Sequence, residues 1–117
     1  MYVAMNRFKV RRDRAGDFEQ VWLSRETHLH QMPGFMSFQL LKGPEREDHQ
    51  LFSSYTLWTS FADFERWTKS EAFAKSHARA GSANGQPMTL GHPEFEGFHV
   101  LQEVDGDGRT RSFADAA

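Results

Sequence analysis

Apolar and polar residues alternate from Tyr2 to Val10. Tyr2, Ala4, Asn6 and Phe8 fall on one side, and Val3, Met5, Arg7 and Lys9 on the other, which is the period of a strand. Asn6 is the odd member of its side: an amide among apolar neighbours needs a partner, either nearby backbone or a guest. Arg11 to Gly16 reads as a charged turn. From Asp17 to Leu29 the period changes to that of a helix, with Phe18, Val21, Trp22, Arg25 and Leu29 near one face. Met32-Pro33-Gly34 punctuates the chain, and strands are predicted over Phe35 to Lys42 and Gln50 to Trp58, joined by a charged turn into a hairpin.

Ser60 to His77 then reads as two short helices in series. Ser60-x-x-Asp63 has the form of a capping box, with Phe61, Phe64 and Trp67 following at spacings of three. Thr68-x-x-Glu71 repeats the signal, with Phe73 and His77 four apart, and predicts a bend near Thr68 to Ser70. On one straight helix Trp67 and His77 would be separated by about 15 Å of rise and about 80° of rotation. With a bend, both can face one pocket; the other reading is two core helices with a partly buried histidine. Gly81 to Gly97 is rich in glycine and proline and reads as a long loop, Phe98 to Glu103 as the last strand, and Asp105 to Ala117 as a disordered tail. The domain is therefore expected over residues 1–104.

This order is β-α-β-β-α-β, an α+β ferredoxin-like unit with a four-stranded antiparallel sheet and helices on one side. Its strands carry apolar residues on both sides: Leu51, Tyr55 and Leu57 against Phe52 and Trp58, and Phe98 and Val100 against Leu101. One side packs the helices. The other needs a cover, and a second copy of the sheet is the economical one, so a homodimeric barrel is expected.

Composition narrows the function classes. A chain of 117 residues makes one domain, and its net charge of −2, with both signs interspersed, offers no footprint for nucleic acid or an anionic membrane. Cysteine is absent, which removes disulfides, thiolate metal sites and a cysteine nucleophile. There is no basic-led apolar signal and no apolar run of membrane-spanning length, so the expected location is the cytoplasm. His28-Leu29-His30 invites a metal reading, but the two imidazoles diverge at a helix end and no third ligand is near in sequence.

Asn6-Arg7, Pro33-Gly34-Phe35 and Trp58-x-Ser60-x-x-x-Phe64-x-x-Trp67-x-x-Ser70-x-x-Phe73-x-x-x-His77 resemble the IsdG-type heme-degrading monooxygenases of the antibiotic biosynthesis monooxygenase superfamily. The Trp-x-Ser…Phe…Trp portion is widespread in that superfamily; the combination of Asn6, Trp67 and His77 is the more specific part. The resemblance covers roughly residues 2–103. It implies a dimer with one heme per subunit between helices and sheet, heme serving as cofactor and substrate. It implies His77 as axial ligand to iron, Asn6 as distal hydrogen-bond donor and Trp67 pressing on the porphyrin to ruffle it. The product would be a bilin-type tetrapyrrole with release of iron, at the expense of molecular oxygen and an external reductant or reductase.

The residues support such roles on chemical grounds. Heme is a large apolar plate, which a cavity lined by Phe8, Trp22, Phe64, Trp67 and Phe73 would bury. Iron accepts a neutral imidazole, which histidine supplies near neutral pH. Arg25, Lys75 and Arg79 are read as solvated surface cations rather than partners of the propionates. Two other readings stand beside this one. A cofactor-free oxygenase acting on a quinol or reduced polycycle uses the same fold and leaves His77 an ordinary helix residue. A non-catalytic heme carrier uses His77 and leaves Asn6 and Trp67 without a role.

Overall fold

In the computed structural model, which describes residues 1–25, 27–70, 82–83 and 86–113, the alternation of the first nine residues becomes strand β1 (Tyr2–Val10). Tyr2, Ala4, Phe8 and Val10 are buried on one side of it. Helix α1 (Ala15–Ser24) follows a short turn and buries Phe18 and Trp22. It stops earlier than its apolar pattern suggested. Arg25 is already extended, with φ −77° and ψ 144°, and Leu29 reaches the core from a separate 3-10 turn over Leu29–Gln31. Leu29 fits the helical spacing of Phe18 and Trp22 without belonging to their helix.

Strands β2 (Phe35–Glu45) and β3 (Gln50–Trp58) form the expected hairpin, β2 running three residues longer than its pattern. Helix α2 (Phe61–Thr68) has its N-terminus where the capping signal put it: the Ser60 hydroxyl accepts from the Asp63 amide at 3.1 Å. The second capping box, Thr68-x-x-Glu71, runs into residues outside the described ones. The Thr68 hydroxyl donates back to the Glu65 carbonyl at 2.7 Å, and Ser70 likewise to Trp67 at 2.6 Å, so both act as C-terminal groups of α2. The chain leaves the helix at Lys69, within the stretch where a bend was predicted. The second of the two helices, with Glu71, Phe73, Lys75, His77 and Arg79, lies outside the described residues.

A two-residue ladder joins β4 (Ser82–Ala83) to β5 (Gln86–Pro87). Thr89 then bridges to Val10, and Met88, fully buried, fills the end of the core between β1 and α1. Strand β6 (Glu94–His99) begins inside the stretch read as loop. Gly97 had suggested irregular chain; its small size in fact admits the Tyr2 ring, since a Cβ there would collide with the Tyr2 hydroxyl. The expected last strand ends at His99. The expected disordered tail is in part a hairpin, β7 (Gln102–Val104) with β8 (Thr110–Ser112). Its Asp-Gly-Asp-Gly sequence is turn chemistry rather than disorder: Asp105 Oδ1 accepts from the amides of Asp107 and Arg109, both at 2.9 Å, and Gly108 takes φ +81°.

The main sheet has the order β2-β3-β1-β6, antiparallel throughout, and with α1 and α2 makes the α+β ferredoxin-like fold. Register decides which side chains meet. Tyr2, Ala4, Asn6, Phe8 and Val10 stand opposite Trp58, Thr56, Ser54, Phe52 and Gln50. Two apolar clusters hold the helices on that side, one around Phe8, Phe18, Trp22 and Phe52, the other around Tyr2, Leu29, Trp58 and Trp67. Between them the sheet and helices do not close on one another.

Candidate functional site

That gap is a cavity of about 500 Å³. Its walls are set by the elements just described. β1 contributes Asn6 and Phe8, α1 contributes Trp22, α2 contributes Phe64 and Trp67, and β6 contributes Phe95. Asn6, Phe8, Trp22, Phe64 and Trp67, all expected at a site, do line one space. Phe73 and His77 fall outside the described residues.

Each aromatic wall is held by a neighbouring ring. Trp67 packs on Trp58, with ring centres 5.5 Å apart, so it belongs to the core as well as to the cavity. Phe64 stacks on Phe95 at 5.7 Å and 9°. Trp22 lies parallel to Phe38, at 6.1 Å and 2°, and carries the Arg25 guanidinium 3.8 Å above its ring. Rings held by several neighbours keep their orientation, which suits a site for a flat guest.

The polar groups are few and placed by register. Asn6 faces Ser54 across the β1–β3 pair and Phe95 across the β1–β6 pair. Among the described residues no hydrogen bond reaches its side-chain amide, although its backbone carbonyl accepts from the Ser53 hydroxyl at 2.9 Å. The amide is therefore directed at cavity space and is not used to hold the strand. Arg25, expected to be solvated, is half-buried and lines the cavity. Burial lowers its pKa from the usual arginine value, and the guanidinium remains a cation.

Sequence reasoning set Arg25 aside as a solvated cation and passed over Phe38, Phe95 and the hydroxyls of Ser54 and Thr56. The signal for the hydroxyls was available: β3 puts Phe52, Ser54, Thr56 and Trp58 on its buried side, so two polar residues interrupt an aromatic face as Asn6 does on β1. Phe95 was hidden by the glycines and prolines around it.

No described histidine lines the cavity. His99 packs against the rings of Tyr2 and Phe61, away from it. His28 precedes the 3-10 turn and His30 lies within it, and no group of three metal-ligating side chains forms among the described residues. The cavity itself suits a flat aromatic molecule: its walls are rings, its volume is that of a cofactor-sized guest, and its amide is open to a ligand. Among the described residues no helix is long and apolar enough to cross a membrane.

The chain matches the family model "Antibiotic biosynthesis monooxygenase" over residues 1–79. It is similar to a heme oxygenase (mycobilin-producing) of Mycobacterium tuberculosis, 30% identical over 108 residues, covering 92% of this chain and 96% of that one. The solved structure of the heme degrader MhuD from Mycobacterium tuberculosis, with two hemes bound in its active site, superimposes with a TM-score of 0.67. Identity there is 28%, over 90% of this chain and 100% of that one. SnoaB, a cofactor-independent oxygenase from Streptomyces nogalater, shares the fold with a TM-score of 0.65 at 21% identity, covering 88% and 95% of the two chains.

Proposed function

The chain belongs to the antibiotic biosynthesis monooxygenase family, and from that premise we propose that its cavity takes up heme and that the protein degrades it as an oxygenase of the IsdG type. The observation that carries this reading is Asn6: one amide, free of protein partners among the described residues, in a cavity with largely aromatic walls. The similarity to a mycobilin-producing heme oxygenase along nearly the whole chain supports it.

In this reading the rings of Phe8, Trp22, Phe64 and Trp67 bury the macrocycle and exclude water. Phe73 and His77, outside the described residues, would supply a further ring and the imidazole for iron. Heme, when bound, supplies the iron that activates oxygen and the ring that is opened to a bilin, with molecular oxygen and an external reductant consumed and iron released. Trp67, backed by Trp58, is rigid enough to press on one side of the plate. Asn6 offers its N–H to a small ligand on the sheet side of the cavity. Arg25 gives the cavity a cation for a propionate. A second copy covers the open side of the sheet, where Val3, Met5, Tyr55, Leu57 and Phe98 lie together.

The polar floor favours one other reading. Hydroxyls beside Asn6 also suit an oxygen-bearing polycycle oxidised without a cofactor. One titration separates the readings. Hemin is added without oxygen, the Soret band is followed, and oxygen and a reductant are then admitted. Heme degradation requires a saturable band that bleaches with release of iron. A stable band indicates a carrier, and no band indicates the cofactor-free oxygenase.

A further inference from the structure

Three aliphatic hydroxyls, Ser53, Ser54 and Thr56, occupy the middle of β3, and they differ in what they do. Ser53 points to the open side of the sheet and donates to the carbonyls of Asn6, at 2.9 Å, and Ser54, at 3.3 Å. Thr56, on the cavity side, donates to the Ala4 carbonyl at 3.2 Å. Ser54 is also on the cavity side and only 7% exposed, yet its hydroxyl makes no hydrogen bond to any described residue. Its oxygen opens on the cavity, so the hydrogen bond it does not make to the described residues is available to a ligand there. Its position is specific: the β1–β3 register sets it directly opposite Asn6, whose own amide likewise has no partner among the described residues. Side chains paired in this way have Cβ atoms about 4.5–5.5 Å apart, so both polar ends can reach one small ligand. On the other flank of Asn6 stands Phe95, which offers no hydrogen bond.

We infer that Ser54 is a second hydrogen-bonding residue of the heme cavity, acting with Asn6 on the small ligand that shares the cavity with heme and drawing it toward the β3 side. This rests on the heme reading above. The asymmetry of Ser54 on one flank and Phe95 on the other gives the site a direction as well as a donor. Position along that direction decides which edge of the macrocycle lies nearest the ligand.

Carbon monoxide on ferrous heme is the probe, because a donor near its oxygen lowers the C–O stretching frequency. Infrared spectra of the carbonyl complex are compared for the parent, Ser54→Ala, Ser54→Thr and Asn6→Ala, alongside hemin titrations. Ser54→Ala should shift the C–O stretch upward, by less than Asn6→Ala does, with hemin affinity within a few-fold of the parent; Ser54→Thr, which keeps the hydroxyl, should return it toward the parent value. If the Ser54→Ala stretch equals the parent's while hemin binds normally, Ser54 does not reach the ligand and the inference is wrong, with the heme reading intact. If hemin affinity collapses in Ser54→Ala and is not restored in Ser54→Thr, the residue is structural and the inference is again wrong. If the parent gives no Soret band, the heme reading fails first and takes this inference with it.

Discussion

At Asn6 the register of β1 sets an amide between a serine and a phenylalanine and leaves it without a protein partner among the described residues. A group used only on the reacting ligand should affect rate and not binding. Asn6→Ala is expected to keep hemin affinity within a few-fold of the parent while turnover falls by about 10²–10³, the usual loss for one donor aimed at developing charge. Side-by-side hemin titration and single-turnover bleaching check this; a joint collapse would make Asn6 a structural residue. Trp67 behaves differently because it is core and wall at once. Trp67→Ala is expected to cost about 3–5 kcal/mol through lost packing on Trp58 and Phe64. Trp67→Phe is the informative variant: a near-parent denaturation midpoint with relaxed heme ruffling, read by resonance Raman. Unchanged ruffling would reduce Trp67 to packing. His77→Ala is expected to abolish turnover and weaken hemin binding; normal turnover would place the iron ligand elsewhere. Asn6 could be found in the sequence because it breaks a strict apolar alternation. Ser54 breaks β3 in the same way but was masked by the hydroxyls of Ser53 and Thr56 around it.

Among the elements, α2 shows how local chemistry fixes part of the site. Its first turn is tied down by Asp63, which accepts from the hydroxyls of Thr59 at 2.8 Å and Ser60 at 2.9 Å and pairs with Arg66 at 2.9 Å. Those hydroxyls, with the Arg66 cation behind them, hold the carboxyl below the ordinary aspartate range. A depressed carboxylate pKa stabilises the fold above its unfolded value and loses that contribution as pH falls through the folded value. The stability difference between the parent and Asp63→Asn should therefore be full at neutral pH and shrink below about pH 4; denaturant titrations across pH measure it, and a constant difference would contradict it. Gly34 closes the same knot. It takes φ +81°, and a Cβ there would collide with the Asp63 carboxylate. Gly34→Ala is expected to lower stability by about 1–2 kcal/mol from the backbone alone, with a lower thermal midpoint. β1, β3 and the start of α2 were legible because alternation and a capping residue are local signals. The end of α1 was not, because Leu29 enters the core at a helical spacing from a different turn. The β7–β8 hairpin was missed because its aspartates and glycines were read as composition rather than as a turn.

For the whole molecule, the sheet separates two surfaces. One encloses the cavity, and the other presents Val3, Met5, Tyr55 and Leu57, with Phe98 about half exposed beside them. Apolar surface of that kind calls for a cover, and the cover we propose is a second copy related by two-fold symmetry. Leu57→Arg should shift sedimentation from dimer to monomer while the far-ultraviolet spectrum is kept; a parent that sediments as a monomer would remove the dimer from the account. The central claim is that heme is taken into this cavity and opened. The most direct test is a single turnover of one equivalent of hemin by the parent protein with reductant, oxygen and catalase, followed by mass analysis of the tetrapyrrole and a ferrous chelator assay. The account predicts one open-chain tetrapyrrole and one iron released per heme, with both lost in Asn6→Ala on the same timescale. Recovery of intact heme from the parent, or equal bleaching in the parent and the variant, would contradict it.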